Sequence, residues 1–97
     1  MKDIAIYGAG GFGREVACLI NKINEQHPVW NLIGFFDDTK VIGQPISHFG
    51  YCLGGMNELN IYNKNINIVN IKYCNRFIEK IVYIFLIQIK LLYRRIL

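Results

Sequence analysis

Residues 4 to 23 constrain the fold more than any other stretch of this chain. Ile4-Ala5-Ile6-Tyr7 is a short run of mostly β-favouring apolar residues, the pattern of a parallel strand covered on both faces. It breaks at Gly8-Ala9-Gly10-Gly11-Phe12-Gly13. From Arg14 the apolar residues Val16, Ala17, Leu19, Ile20 and Ile23 recur at helical spacing, and the pattern ends near Asn24, before Gln26-His27-Pro28. A strand, a glycine turn and an amphipathic helix in this order predict the first half of a β-α-β unit.

Each glycine of the turn has a physical task. At a helix N-terminus the first backbone N–H groups lack intrahelical partners and the macrodipole is positive, so an anion is attracted, provided that no Cβ obstructs its approach. In the G-x-G-x-x-G pattern Gly8 makes the tight turn, Gly10 admits phosphates, and Gly13 lets the helix pack close to the strand. The strand before it and the helix after it are the context in which such a motif gains meaning.

A second strand is expected at Leu32-Ile33-Gly34-Phe35-Phe36, ending in Asp37-Asp38, 24 and 25 residues beyond Gly13. In a β-α-β unit that strand end lies beside the glycine turn, where a carboxylate accepts hydrogen bonds from a ribose or a base. The alternative role for either aspartate is to start the following turn with Thr39, and one residue can do both. After Lys40 the run Tyr51-Cys52-Leu53 reads as a loop or small strand, and Gly54-Gly55-Met56-Asn57-Glu58-Leu59 leads into a short helix. His27 and His48 stand apart from other metal-ligating residues. Trp30 and Phe12 read as packing residues, and Arg14 as a solvated side chain whose position also permits a phosphate contact.

At 97 residues the chain holds one small domain. With 53% hydrophobic and 19% charged residues it is too apolar for disorder. Its longest uncharged C-terminal run, Ile81 to Ile89, is too short to span a bilayer. Cys18, Cys52 and Cys74 have no C-x-x-C spacing, and the N-terminus lacks the form of a signal peptide. A cytoplasmic protein with reduced, buried cysteines is expected. The net charge of +4 hides an asymmetry: residues 1 to 60 carry four basic and six acidic side chains, residues 61 to 97 seven and one. No Gly follows Gly55 and no Ala follows Ala17, while the last 37 residues hold ten Ile. Two kinds of sequence are joined.

Ile4 to Val16, Ile33-Gly34-Phe35-Phe36-Asp37-Asp38 and Leu53-Gly54-Gly55, in that order, closely resemble the N-terminal domain of the bacterial sugar O-acyltransferases of the sialic acid O-acetyltransferase, or PglD, type. The resemblance covers about residues 1 to 60. It implies a Rossmann-like domain that binds a nucleotide-activated sugar, commonly a UDP-amino sugar. In the family a left-handed β-helix of hexapeptide repeats follows, which binds acetyl-CoA, carries the catalytic His and forms trimers. Carried over by position, Gly8, Gly10, Gly11, Phe12 and Gly13 form the phosphate loop, and Asp37 and Asp38 face the uridine. No hexapeptide repeat occurs in these 97 residues. The expectation is therefore a nucleotide-sugar-binding portion of a sugar O- or N-acetyltransferase, inactive alone, with no site for acetyl-CoA, no catalytic residue and no metal.

The family also has a third strand ending in Ala-Ile-Gly that lines the same pocket. Ile66-Asn67-Ile68-Val69-Asn70-Ile71 resembles it, but Lys72-Tyr73-Cys74-Asn75-Arg76 follows where the glycine belongs. The codons of Tyr73 to Phe77, read one nucleotide later, permit Ile-Ala-Ile-Gly. A frameshift near residue 70 is thus one origin of the tail, and residues 1–71 and 72–97 divide into an incomplete nucleotide-sugar-binding domain and a basic, apolar tail. If the tail is native, its Ile, Leu, Tyr and Phe with Lys80, Lys90, Arg94 and Arg95 suggest a basic amphipathic helix on a membrane or partner. Nucleic acid is not expected, because no recognition motif accompanies the charge. A stand-alone dinucleotide-binding domain of an oxidoreductase is the remaining alternative. The fold expected is α/β: a small Rossmann-like parallel sheet in β-α-β order with a poorly specified C-terminal helix.

Overall fold

A computed structural model describes residues 1–62 and 66–71, in the element order β1 (Lys2–Tyr7), α1 (Gly11–Gln26), β2 (Trp30–Phe36), β3 (Pro45–Ile46), β4 (Gly50–Gly54), α2 (Met56–Asn60) and β5 (Asn67–Asn70). The expected C-terminal helix, the tail at 72–97 and Cys74 lie outside the described residues.

The five strands form one sheet in the order β3-β4-β2-β1-β5. β1, β2, β4 and β5 are parallel, and the two-residue β3 runs antiparallel to β4 at the edge. The α/β expectation of a small Rossmann-like sheet is met. β1 lies inside, pairing with β2 from Lys2↔Trp30 to Tyr7↔Phe36 and with β5 from Ile4↔Asn67 to Tyr7↔Asn70. Successive strand side chains point to opposite faces. Ile4 and Ile6 accordingly join the cluster made with Val16, Ala17, Ile20 and Ile23 of α1, while Ala5 and Tyr7 join Phe36 on the other face, against which Met56 and Leu59 of α2 pack. Among the described residues, one helix covers each side of the sheet. That double cover explains why β1 is apolar throughout its second half.

The alternation breaks in β2. Trp30, Leu32 and Phe35 belong to the α1 side, Ile33 and Phe36 to the α2 side, so the step from Leu32 to Phe35 is odd. The pairing shows why: Ile4 opposes Leu32 but Ala5 opposes Gly34, leaving Ile33 as the extra residue of a bulge. Gly34 takes φ +149°, and a Cβ there would come within 2.8 Å of both Leu53 Cγ and the Tyr51 carbonyl oxygen. Only glycine relieves both constraints.

The helix α1 is longer at both ends than its apolar spacing predicts. Gly11, Phe12 and Gly13 adopt helical backbone despite the weak helix propensity of glycine. At the other end Asn24 joins helix to strand: its Oδ1 accepts from the N–H groups of Val29 (3.1 Å) and Trp30 (3.0 Å), and its Nδ2 donates to the Trp30 carbonyl (2.7 Å).

The cysteine expectation holds for Cys52, which is buried, and fails for Cys18, which is exposed. Cys18 follows buried Ala17 by one residue, a rotation of about 100° that carries it off the packed face. Trp30 is a core residue, as expected. His27 and His48 are exposed. Among the described residues no helix is long and apolar enough to cross a membrane, and no group of three or more His, Cys, Asp or Glu is placed to hold a metal ion.

Candidate functional site

The chain leaves β1 through a turn built on glycine. Gly8 takes φ +118°, and its N–H donates to the Phe36 carbonyl at 2.8 Å, so the turn is tied to the end of β2. Two residues on, Gly10 is the N-cap of α1 in ordinary extended backbone (φ −78°, ψ −166°), and the Arg14 N–H donates to its carbonyl at 3.1 Å. A Cβ on Gly10 would meet nothing within 4 Å. Gly13 is the opposite case: a Cβ there would lie 2.0 Å from the Gly8 carbonyl oxygen and 3.3 Å from Ile71 Cδ1. Gly13 is thus required by close packing, and Gly10 leaves open space. Gly10 has no side chain with which to cap α1, and the first turn of the helix carries no acidic residue, so its dipole leaves this end positive.

The two aspartates after β2 separate where the strand gives way to a turn. Asp37 turns toward the glycine loop and is 6% exposed. Its Oδ2 accepts from the Ala9 N–H at 2.8 Å, while its Oδ1 accepts from the Thr39 N–H at 2.8 Å and from Thr39 Oγ1 at 2.7 Å. One carboxylate therefore holds the β1–α1 loop and starts the turn after β2. Asp38 turns the other way. It accepts from the Tyr7 hydroxyl on one oxygen and from the Met56 N–H, at 2.8 Å, on the other, at the start of α2. A Cβ on Gly55 would lie 2.1 Å from Asp38 Oδ1, which accounts for the glycine before that helix.

These elements form an open pocket of about 260 Å³ lined by Gly8, Gly10, Gly11, Phe12, Gly13, Asp37, Thr39 and Ile71. It sits where β1, β2 and β5 end. The chain crosses from β1 to β2 on one side of the sheet, and β5 joins β1 from the other flank, so the pocket lies at the point where strand order reverses, the usual ligand crevice of open parallel sheets. Of the seven residues expected from sequence, Gly8, Gly10, Gly11, Phe12, Gly13 and Asp37 meet here. Asp38 is not among the lining residues, and its carboxylate serves the opposite face.

Thr39 and Ile71, which no sequence motif marks as site residues, complete the lining. Thr39 was legible as a turn partner of Asp37, and Ile71 as the last residue of a strand. Arg14 is exposed, and its Nη2 lies 3.8 Å from the position a Cβ on Gly11 would occupy, beside the pocket rim. Phe12 is half-buried, packing on the α1-side core while lining the pocket.

Among known protein families, the model of the PglD N-terminal domain matches residues 3–71. No curated protein and no solved structure matches the chain.

Proposed function

The chain belongs to the PglD N-terminal domain family, and from that membership we propose that its glycine-lined pocket binds a nucleotide-activated sugar of the UDP-amino-sugar type. The family context is that of sugar acetyltransferases, and the match supports reading this chain as the N-terminal part of one. In the proposed division of labour this domain holds the acceptor sugar through its nucleotide. Acetyl-CoA and the base that deprotonates the acceptor belong to the domain the family places after it.

The observation that supports the reading best is the position of the pocket. Gly8 to Gly13, Asp37 and Ile71 are brought to the carboxyl ends of β1, β2 and β5. There the positive N-terminus of α1 offers donors to a diphosphate, and the open space over Gly10 gives the phosphates room. Gly8, Gly10, Gly11, Phe12 and Gly13 are the proposed phosphate loop. Asp37 holds that loop in shape through Ala9. The single glycine turn and the single acidic strand end beside it, Gly8 to Gly13 with Asp37, support one nucleotide as the ligand.

The test is an NMR titration of the chain with UDP and, separately, with NAD. UDP should shift the amide signals of Gly8 to Gly13, and NAD should do so only at much higher concentration. Gly10→Val places a branched side chain in the open space and should remove the UDP shifts without unfolding the domain. UDP titration without shifts in the glycine turn refutes the proposal.

A further inference from the structure

We propose that Thr39 is the residue that recognises the ribose of the bound nucleotide, accepting a hydrogen bond from a ribose hydroxyl through Oγ1, with Asp37 as its anchor. The inference rests on the nucleotide reading above and assigns a role within that pocket.

An ionised carboxylate only accepts hydrogen bonds, so the Thr39 hydroxyl, 2.7 Å from Asp37 Oδ1, directs its single proton there. The Thr39 backbone N–H, at 2.8 Å, goes to the same oxygen. What Oγ1 has left is lone pairs. Toward the pocket it is therefore an acceptor, and its hydrogen bond to a carboxylate polarises it in that sense. A ribose hydroxyl is a donor that matches it.

At the end of the second strand of such a sheet an acidic side chain commonly takes the ribose directly. Here Asp37 is poorly placed for that. It is 6% exposed, and Ala9 N–H occupies its other oxygen at 2.8 Å. Thr39, two residues further on, is exposed and lines the pocket. The acceptor function has moved one group outward, from the carboxylate to the hydroxyl it holds. Because that hydroxyl has no proton to give and a negative charge behind it, the same corner disfavours a nucleotide carrying a phosphate on the ribose.

The experiment is isothermal titration of the full chain with UDP and with 2′,3′-dideoxy-UDP, for the wild type, Thr39→Val, Thr39→Ala and Thr39→Ser. Loss of the hydroxyl in Thr39→Val or Thr39→Ala should weaken UDP binding about five- to tenfold, the worth of one good neutral hydrogen bond. Dideoxy-UDP should bind the wild type and both variants alike, and Thr39→Ser should bind UDP as the wild type does. Whichever hydroxyl-free variant folds is sufficient. Equal losses for UDP and dideoxy-UDP, or no loss for either, overturn the assignment while leaving the nucleotide pocket standing. A wild type that binds neither nucleotide overturns the proposed function and this assignment with it.

Discussion

Gly13→Ala and Gly10→Ser separate packing from function within one turn. A Cβ at position 13 would sit 2.0 Å from the Gly8 carbonyl oxygen, with the Gly8 carbonyl carbon at 3.0 Å behind it. Ordinary carbon–oxygen contacts begin at about 3.3 Å, so α1 must retreat from β1 by about 1.3 Å. Backbone stands on both sides of this clash, and no side-chain rotamer relieves it. Overpacking of that kind costs about 3 kcal/mol, and the better helix propensity of Ala returns about 1 kcal/mol, which leaves a net loss of about 2 kcal/mol. For a domain of this size that lowers Tm by roughly 8–16 °C. Gly10→Ser adds a side chain where nothing lies within 4 Å, on a backbone suited to a capping hydroxyl, and should raise stability by a few tenths of a kcal/mol. Thermal and urea denaturation followed by circular dichroism measures both. A Gly13→Ala variant within about 0.5 kcal/mol of the parent, or a Gly10→Ser variant as damaged as Gly13→Ala, refutes the assignment of packing to Gly13 and open space to Gly10.

Three other perturbations follow from the same geometry. Asp37→Ala removes the acceptor for the Ala9 N–H and for both Thr39 donors, and should cost about 3 kcal/mol in chemical denaturation; a loss under about 1 kcal/mol contradicts its bridging role. Arg14→Glu puts a negative charge in the first turn of α1, which has no acidic residue, and should stabilise the ligand-free chain by about 0.3–1 kcal/mol at low salt while weakening any phosphate ligand; destabilisation would speak against the exposed setting of Arg14. Alkylation of the native chain, mapped by peptide mass spectrometry, should modify Cys18 within minutes and Cys52 only under denaturing conditions, and comparable labelling of the two would contradict their placement.

The parts of the fold that could be read from the sequence are those set by local periodicity. Ile4 to Tyr7, the glycine turn and the apolar spacing of Val16 to Ile23 describe β1, the loop and α1 with only their ends misjudged. Those ends depend on distant groups: the glycine-rich first turn of α1 is helical because it packs on Gly8, and the last turn is held by Asn24 reaching the start of β2. The bulge at Gly34 was not legible, because an apolar run covered on both faces has no alternation in which a skipped residue would show. The two-residue β3 is too short to leave a pattern. In the site, the glycines could be read because their spacing is itself the constraint. The direction of Asp38 could not, since it is decided by Tyr7 and by the N-terminus of α2, partners 31 and 18 residues away. Thr39 and Ile71 enter the pocket by the same kind of distant assembly.

The opposite orientations of Asp37 and Asp38 make the spacing of this loop unusually exacting. Surface connections normally absorb an extra residue at little cost. A single insertion between Phe36 and Asp37 would exchange the two carboxylates between the faces of the sheet. The acid meant for Ala9 and Thr39 would then face Tyr7 and α2, and its neighbour would face the glycine turn, so two clasps would be lost without changing any side chain. Length variation among chains of this design should therefore gather after Lys40, where the connection to β3 holds exposed Val41, Ile42 and Gly43, and should avoid the two-residue step at which both sides of the molecule are fastened.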